Sequence, residues 1–385
     1  MPGIAQARLL RAASGSGEEV ATTGSVMFPQ RRAWGAFGAF SLSGELPRER
    51  TLAQIEAQIA QLTFGDRAAT NDVNSLLADL RSSWLDEARR VFAELEPWET
   101  VCVARHPQRP VLTDFLDKIV HDFCELHGDG VSGEDPAIIT GLGRIAHHDV
   151  MIVGHNRGRD LKERVGCRFG CAHPEGYRKA LAKMRLAQKF RLPVVSLIDT
   201  PGAFPGMEAE QRGIARAIAT NLAAMPNLRT PIVSVVIGEG GSGGALGIGI
   251  CDRMAMLEHS IFSVISPEGC AAILWRRSEE AREAAAALRL RAGDLRRMGL
   301  VDHVIPEPVG GAHRDPARTA AAVESFVVET LDQLVQEPID RLLERRYRRL
   351  RSFGAAFTEV SGLPGLEAPS ARTSSTGNDV CGAGI

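Results

Sequence analysis

The run Pro231–Ile237 is apolar without interruption and passes directly into Gly238-Glu239-Gly240-Gly241-Ser242-Gly243-Gly244-Ala245. A continuous apolar run bounded by turn residues reads as a strand buried on both faces, the kind found inside parallel sheets. The small residues Leu246–Ile250 that follow extend a helix. The local reading is therefore strand, glycine turn, helix start, and it points to an α/β fold. At a helix start the first N–H groups lack intrahelical partners and sit at the positive end of the helix dipole. Such a turn can hold an anion or a developing oxyanion without a charged side chain. A phosphate cradle fits poorly, because no Lys-Ser/Thr follows and the spacing is not G-x-G-x-x-G. A peptide oxyanion hole fits better. The plain alternative is a turn whose glycines only allow a strand and a helix to pack closely.

The chain has 385 residues, enough for one large or two ordinary domains. Its net charge of −2 excludes a general attraction to nucleic acid or to an anionic membrane. No apolar run approaches the roughly 20 residues of a membrane span. The 7 cysteines are dispersed and no secretory signal precedes them, which fits a cytoplasmic protein. Cys167, Cys171 and His173 have metal-like spacing, but no second pair completes a four-ligand set, so no metal is expected in this chain.

Residues 1–46 and 355–385 are small, polar and aperiodic, and are expected to be disordered extensions. From residue 47 to 97 the pattern is helical. Leu52, Ile55, Ile59 and Leu62 share one face, Gly65 and Asp66 break it, and Val73, Leu76, Leu77, Leu80, Trp84 and Ala88 form a second stripe. Two such helices make an antiparallel arm, either docking another subunit or packed on its own domain. A main domain is expected over residues 98–354. Phe115–Leu126 reads as a helix, and Ile138–Ile145 with Val150–His155 as a hairpin whose turn carries His147 and His148 in solvent. The arginines and lysine of Asn156–Cys171 (Arg157, Arg159, Lys162, Arg164, Arg168) read as a solvated or phosphate-facing set.

Val194–Ile198 is a second buried strand and ends in Asp199–Gly206; Ile261–Ile265 is a third and ends in Ser266–Gly269. Sites in parallel α/β sheets lie outside the carboxyl ends of the strands, so these loops and the glycine turn should converge. The basic stretch Arg341–Arg351 reads as a solvated or inter-subunit face.

Taken in order, Ala104–Pro110 (ARHPQRP), His173–Ala180 (HPEGYRKA), Asp199–Gly206 (DTPGAFPG), Gly238–Ala245 (GEGGSGGA), Ser263–Gly269 (SVISPEG), Glu307–Asp315 (EPVGGAHRD) and Arg346–Gly354 (RYRRLRSFG) resemble the α subunit family of bacterial acetyl-coenzyme A carboxylase carboxyltransferases. The resemblance runs from about Pro47 to Gly354. It implies a crotonase-like ββα superhelix with an N-terminal helical arm. It implies transfer of a carboxyl group from carboxybiotin to acetyl-CoA, giving malonyl-CoA for fatty-acid synthesis. Biotin would arrive on the biotin carboxyl carrier protein and not be attached here. The β subunit, which carries the zinc ribbon, would complete an α2β2 assembly. ATP would be spent at the separate biotin carboxylase.

On this resemblance the N–H groups of Gly243 and Gly244 would hold the biotin oxygen. Gly202, Ala203, Phe204, Gly240, Gly241, Ala245, Ser266, Pro267, Glu268 and Gly269 would shape the pocket. Two other readings remain open at this point. One is a stand-alone enoyl-CoA hydratase or isomerase using Glu239, Glu268 or Glu208 as acid or base. The other is a non-catalytic interaction subunit working through the arm and the basic helix.

Overall fold

The computed structural model describes residues 49–64, 71–131 and 133–354. The expected extensions, and the break at Gly65 and Asp66, lie outside them. The core is one mixed sheet of eight strands: β1 (His121–Glu125), β2 (Ile138–Ile145), β3 (His148–His155), β4 (Val194–Thr200), β5 (Ile232–Gly241), β6 (Arg253–Leu257), β7 (Ile261–Ser263) and β8 (His303–Ile305). The spatial order is β1-β2-β3-β4-β5-β6-β8, with β7 paired to β5 off this path. β1 to β3 are antiparallel and every later pairing is parallel.

The apolar runs behave as strands covered on both faces. Along β4, Val194 and Ile198 face one core and Val195 and Leu197 the other; along β5, Ile232 and Val236 face the first and Val233, Val235 and Ile237 the second. The helices Pro174–Phe190, Ile214–Ala224 and Ser242–Gly249 cover the first face, whereas Leu112–Ile119 and Pro316–Leu334 cover the second. Among the buried polar residues on the strands, Ser196 donates to the carbonyl of Ile248 at 2.8 Å.

β5 is irregular against β4. Ile198 faces Val236 and Thr200 faces Gly240, so β5 spends four residues where β4 spends two. Beyond that bulge Glu239, Gly240 and Gly241 pair with Ile261, Phe262 and Ser263 of β7. The glycine stretch is thus not a free turn. Its first half is strand, and the helix begins at Ser242.

Phe115–Leu126 is not one helix. The helix is Leu112–Ile119, and His121–Glu125 is the edge strand β1. The cause is tertiary. Gly141 and Gly143 on β2 carry no side chain, and a Cβ there would fall 2.5 Å from the ring of Phe123 and 2.4 Å from Val120. These residues fill the space the glycines leave, which holds the segment on the sheet against its helical pattern.

The helices Arg50–Phe64 and Asn71–Ala93 form the expected pair, with the Trp84 indole donating to Glu56 at 2.8 Å. Their root packs on the chain's own domain. Leu52, Ala88, Val91, Phe92 and Leu95 bury against Val103, and Arg314 bonds Glu56 at 2.8 Å while lying over the Trp84 ring. Leu76 and Leu85 remain exposed.

The basic stretch lies on the helix Ile339–Ser352, and one of its arginines is fully buried. Arg346 forks onto Asp252 at 2.8 and 2.6 Å and donates to the carbonyls of Leu228 and Thr230, each at 2.7 Å. Asp252 also accepts the N–H of Ile232 at 2.8 Å, so the pair anchors the helix to the start of β5. Arg345 and Arg349 are paired as well, with Glu337 and Asp302. The stretch is therefore an anchor at these positions and not a solvated face. Arg346→Ala leaves a buried carboxylate without its cation, and the unfolding free energy in urea should fall by about 3–5 kcal/mol. Arg346→Lys should recover little, because one ammonium cannot serve the carboxylate and the carbonyls together.

Candidate functional site

The loops after β4, β5 and β7 meet at the carboxyl ends of their strands, as expected. Pro201, Glu239, Gly240, Gly241, Ser263, Ser266 and Pro267 line one narrow cavity there. Glycines permit the approach. A Cβ on Gly241 would stand 2.0 Å from the carbonyl oxygen of Pro201, and one on Gly244 would stand 2.5 Å from the carbonyl carbon of Gly202 and 2.6 Å from the nitrogen of Ala203. These contacts are with backbone, which cannot swing aside. Gly243 differs: the nearest atom to its Cβ position is Ile218 Cδ1 at 3.7 Å.

β5 runs into the Ser242–Gly249 helix through Ser242, which holds φ 47°, a left-handed conformation unusual for a residue with a side chain. No side chain caps this helix. Its first N–H groups, at Ser242, Gly243 and Gly244, have no carbonyl one turn back within the helix. Gly244 and Ala245 are buried and Gly243 is half-buried.

The other expected residues are placed as follows. Gly202 and Ala203 lie against Gly244, and Thr200 Oγ1 accepts the Gly202 N–H at 3.1 Å, fixing the turn. Phe204 stacks on His173 at 4.4 Å between ring centres. Ser266 caps the helix Pro267–Leu274 by accepting the N–H of Gly269 at 3.1 Å. Glu268 sits in the first turn of that helix and bonds Arg105 at 2.6 Å.

Arg105, which sequence reasoning did not single out, and Arg157, which it read as solvated or phosphate-facing, tie the site together. Arg105, just after the helix Pro97–Ala104, donates to Glu239 at 2.5 Å and to Glu268 at 2.6 Å. Arg157, just after β3, donates to Asp199 at 3.1 Å and to Glu239 at 3.3 Å. Asp199 in turn accepts the backbone N–H of Glu239 at 3.0 Å. Two cations and three carboxylates thereby join the loops after β4, β5 and β7. Burial by itself raises the pKa of Glu239, but Arg105 and Arg157 outweigh it and hold the carboxyl below its ordinary value. Glu239 is thus an ionised structural anion with its oxygens occupied. Of the other carboxylates considered for proton transfer, Glu268 is tied to Arg105, and Glu208 is largely exposed, 3.6 Å from His173.

The remaining arginines of the 156–171 segment do not form an open phosphate site. Arg159 pairs with Asp114 and Asp117, Arg164 donates to the carbonyls of Gly158 and Pro107, and Arg168 bonds Asp135. Behind the loops, Arg109 donates to the Ile237 carbonyl at 2.8 Å and forks onto Glu307. Burial would raise the Glu307 carboxyl, but Arg109 overrides it and lowers the value to about 2.

The strand-end loops of a mainly parallel α/β sheet thus converge on one cavity beside a glycine helix start, with the carboxylates around it paired to arginine. The comparisons specify the family. The family model for acetyl co-enzyme A carboxylase carboxyltransferase-like proteins matches residues 45–354. The acetyl-coenzyme A carboxylase carboxyl transferase subunit alpha of Rhodopirellula baltica is 48% identical over 312 residues, covering 81% of this chain and 97% of that protein. The proteins of the same name from Alcanivorax borkumensis and Azotobacter vinelandii are each 48% identical, covering 81% and 80% of this chain and 96% and 98% of theirs. The chain belongs to the acetyl-CoA carboxylase carboxyltransferase family. Among solved structures, a Pseudomonas malonate decarboxylase hetero-tetramer in complex with coenzyme A aligns at 18% identity with a TM-score of 0.48, covering 60% of this chain and 93% of its own.

Two predictions come from this geometry. Gly244→Ala should lower stability by about 1–3 kcal/mol through overpacking against the Gly202–Ala203 backbone, whereas Gly243→Ala should change it little; urea midpoints of the two variants compare them. The second concerns acid. Since the folded Glu307 carboxyl titrates near 2 against an ordinary 4.5, its contribution to stability is complete above pH 4.5 and is lost as the pH falls toward 2. Glu307→Gln should flatten the stability profile in that window, measured by denaturation at stepped pH.

Proposed function

We infer that this chain is the α subunit of an acetyl-CoA carboxylase carboxyltransferase, which moves a carboxyl group from carboxybiotin to acetyl-CoA to make malonyl-CoA. The observation that carries the reading is the helix start at Ser242–Gly244, packed on the loop after β4 at the end of β5, in a chain of this family.

The chemistry asks for a stabilised negative oxygen. The α-proton of a thioester is too weakly acidic to leave unaided, and a carboxyl donor leaves an anion behind. Carboxybiotin, when bound, supplies the activated carboxyl group and a ureido oxygen that accepts hydrogen bonds. The N–H groups of Gly243 and Gly244 suit that acceptor, because they are aligned with the helix dipole and the residue at the N-cap, Gly241, has no side chain to cap them. Each such donor contributes roughly 3–4 kcal/mol to holding the developing charge. Gly240, Gly241, Gly202 and Ala203 hold the backbone of the pocket, with Ala245 behind it. Ser266 and Pro267 line the cavity, Glu268 and Gly269 back them through Arg105 and the Ser266 cap, and Phe204 stacks on His173. Arg105 and Arg157 position these loops; they are not themselves proton donors or acceptors in the reaction. The saturation of Glu239 by arginine disfavours a hydratase-type use of that carboxylate.

The partners in this reading are the β subunit in an α2β2 assembly, the biotin carboxyl carrier protein and biotin carboxylase. No helix among the described residues is long and apolar enough to cross a membrane, in keeping with work in the cytoplasm. Mixing the purified chain with a β subunit, biotinylated carrier and acetyl-CoA should give malonyl-CoA, and either chain alone should give none. Hydration of an enoyl-CoA by this chain alone would overturn the reading. Gly243→Pro deletes one N–H in the first turn of the helix, and because proline disfavours the left-handed conformation of Ser242 before it, assembly and circular dichroism are measured alongside activity. The substitution should slow carboxyl transfer roughly 100- to 1000-fold, while Gly243→Ala stays near wild type. Near-normal transfer by the proline variant, with assembly and circular dichroism unchanged, would remove the oxyanion assignment.

A further inference from the structure

The tight turn between β2 and β3 places two imidazoles on one carboxylate. His147 Nε2 and His148 Nε2 each lie 2.8 Å from Asp332 Oδ1, in the last turns of the helix Pro316–Leu334. The two rings are 4.2 Å apart between centres and tilted by 38°. All three potential ligand atoms fall within 4.8 Å of one another, and among the described residues this is the one group of His, Cys, Asp or Glu with that property. The turn is built for the arrangement: Ala146 takes φ 50°, which lets β2 reverse into β3 at His148.

We propose that His147, His148 and Asp332 form a site for a borderline divalent transition ion, Zn²⁺ in the first instance, held by three protein ligands with its remaining position open to water. Metal–ligand bonds of about 2.0–2.2 Å in tetrahedral geometry set neighbouring donor atoms about 3.3 Å apart. The observed 2.8 Å needs only a small opening of side chains whose far sides face solvent, His147 and Asp332 being 63% and 49% exposed. Two imidazole nitrogens and one carboxylate oxygen select Zn²⁺, Ni²⁺ or Cu²⁺ over Mg²⁺ and Ca²⁺, which take all-oxygen sets. Two imidazole nitrogens and a carboxylate oxygen gathered within 4.8 Å are the donor set that such an ion takes.

The site lies at the end of the sheet opposite the glycine loop. His148 opens β3 and His155 closes it, a span of about 23 Å at 3.3 Å per residue. A bound ion would join the antiparallel edge of the sheet to the long helix on its second face. It would act on stability and not on carboxyl transfer. This makes its test independent of the assigned reaction.

The full chain, free of any histidine tag and stripped with chelator, is titrated calorimetrically with ZnCl2, then with MgCl2 and CaCl2. Zn²⁺ should bind at a site that His148→Ala and Asp332→Asn each weaken roughly tenfold or more, while Mg²⁺ and Ca²⁺ give no specific heat. Zn²⁺ should also raise the Tm of the wild-type chain by mass action and leave that of the His147→Ala/His148→Ala/Asp332→Asn variant unchanged. The metal-free Tm of that variant reports whether it folds, and cysteine-bound zinc would appear equally in both proteins. Equal Zn²⁺ binding by wild type and triple variant, or no binding by wild type, would overturn the site and leave a hydrogen-bonded clip.

Discussion

The loops at the carboxyl ends of β4, β5 and β7 depend on two arginines placed among three largely buried carboxylates. Arg105 joins Glu239 to Glu268, and Arg157 joins Glu239 to Asp199. Buried charge is expensive unless it is paired and fully hydrogen-bonded, so each member holds the others in place. The result is electrostatic stitching of loops that follow different strands. The peptide groups of the glycine segment are left uncharged, because the charged residues beside them are paired with one another.

This division explains how much of the fold and site was legible in the sequence. Pro231–Ile237 and Val194–Ile198 read correctly as strands because both of their faces are covered and apolar character alone reports that. The glycines announced a close approach, and the structure assigns it to backbone: Pro201 against Gly241, and Gly202 with Ala203 against Gly244. The charge lattice was invisible for a physical reason. Arg105 and Glu239 stand 134 positions apart, and nothing local distinguishes a buried arginine from a solvated one. Arg346 was misread in the same way, since its neighbours in sequence are arginines that face water or pair on the surface. β1 was misread because its partner surface, two glycines on β2, lies in another segment.

The N-terminal arm illustrates the limit of periodicity. Its stripe of leucines and isoleucines specifies two helices and a buried seam. It does not specify which surface that seam serves. Trp84, Glu56 and Arg314 decide the matter at the root, where a hydrogen bond, an ion pair and a cation over an indole lock the arm to the domain. Farther out the same stripe stays partly open.

The bulge in β5 has a bearing on how such a chain can change over time. There the strand pairs with a second partner, so each position from 239 to 241 has an assigned neighbour. Substitutions there act one residue at a time, but an inserted or deleted residue shifts the phase of the whole segment. Glu239 would then turn away from both arginines, and the residues that tolerate contact with Pro201 and Gly202 would arrive at the wrong places. Most surface loops can absorb changes of length; this one is counted out against two neighbours. Its length should therefore drift far less readily than its composition, and grafting it into another sheet would require the bulge to travel with it.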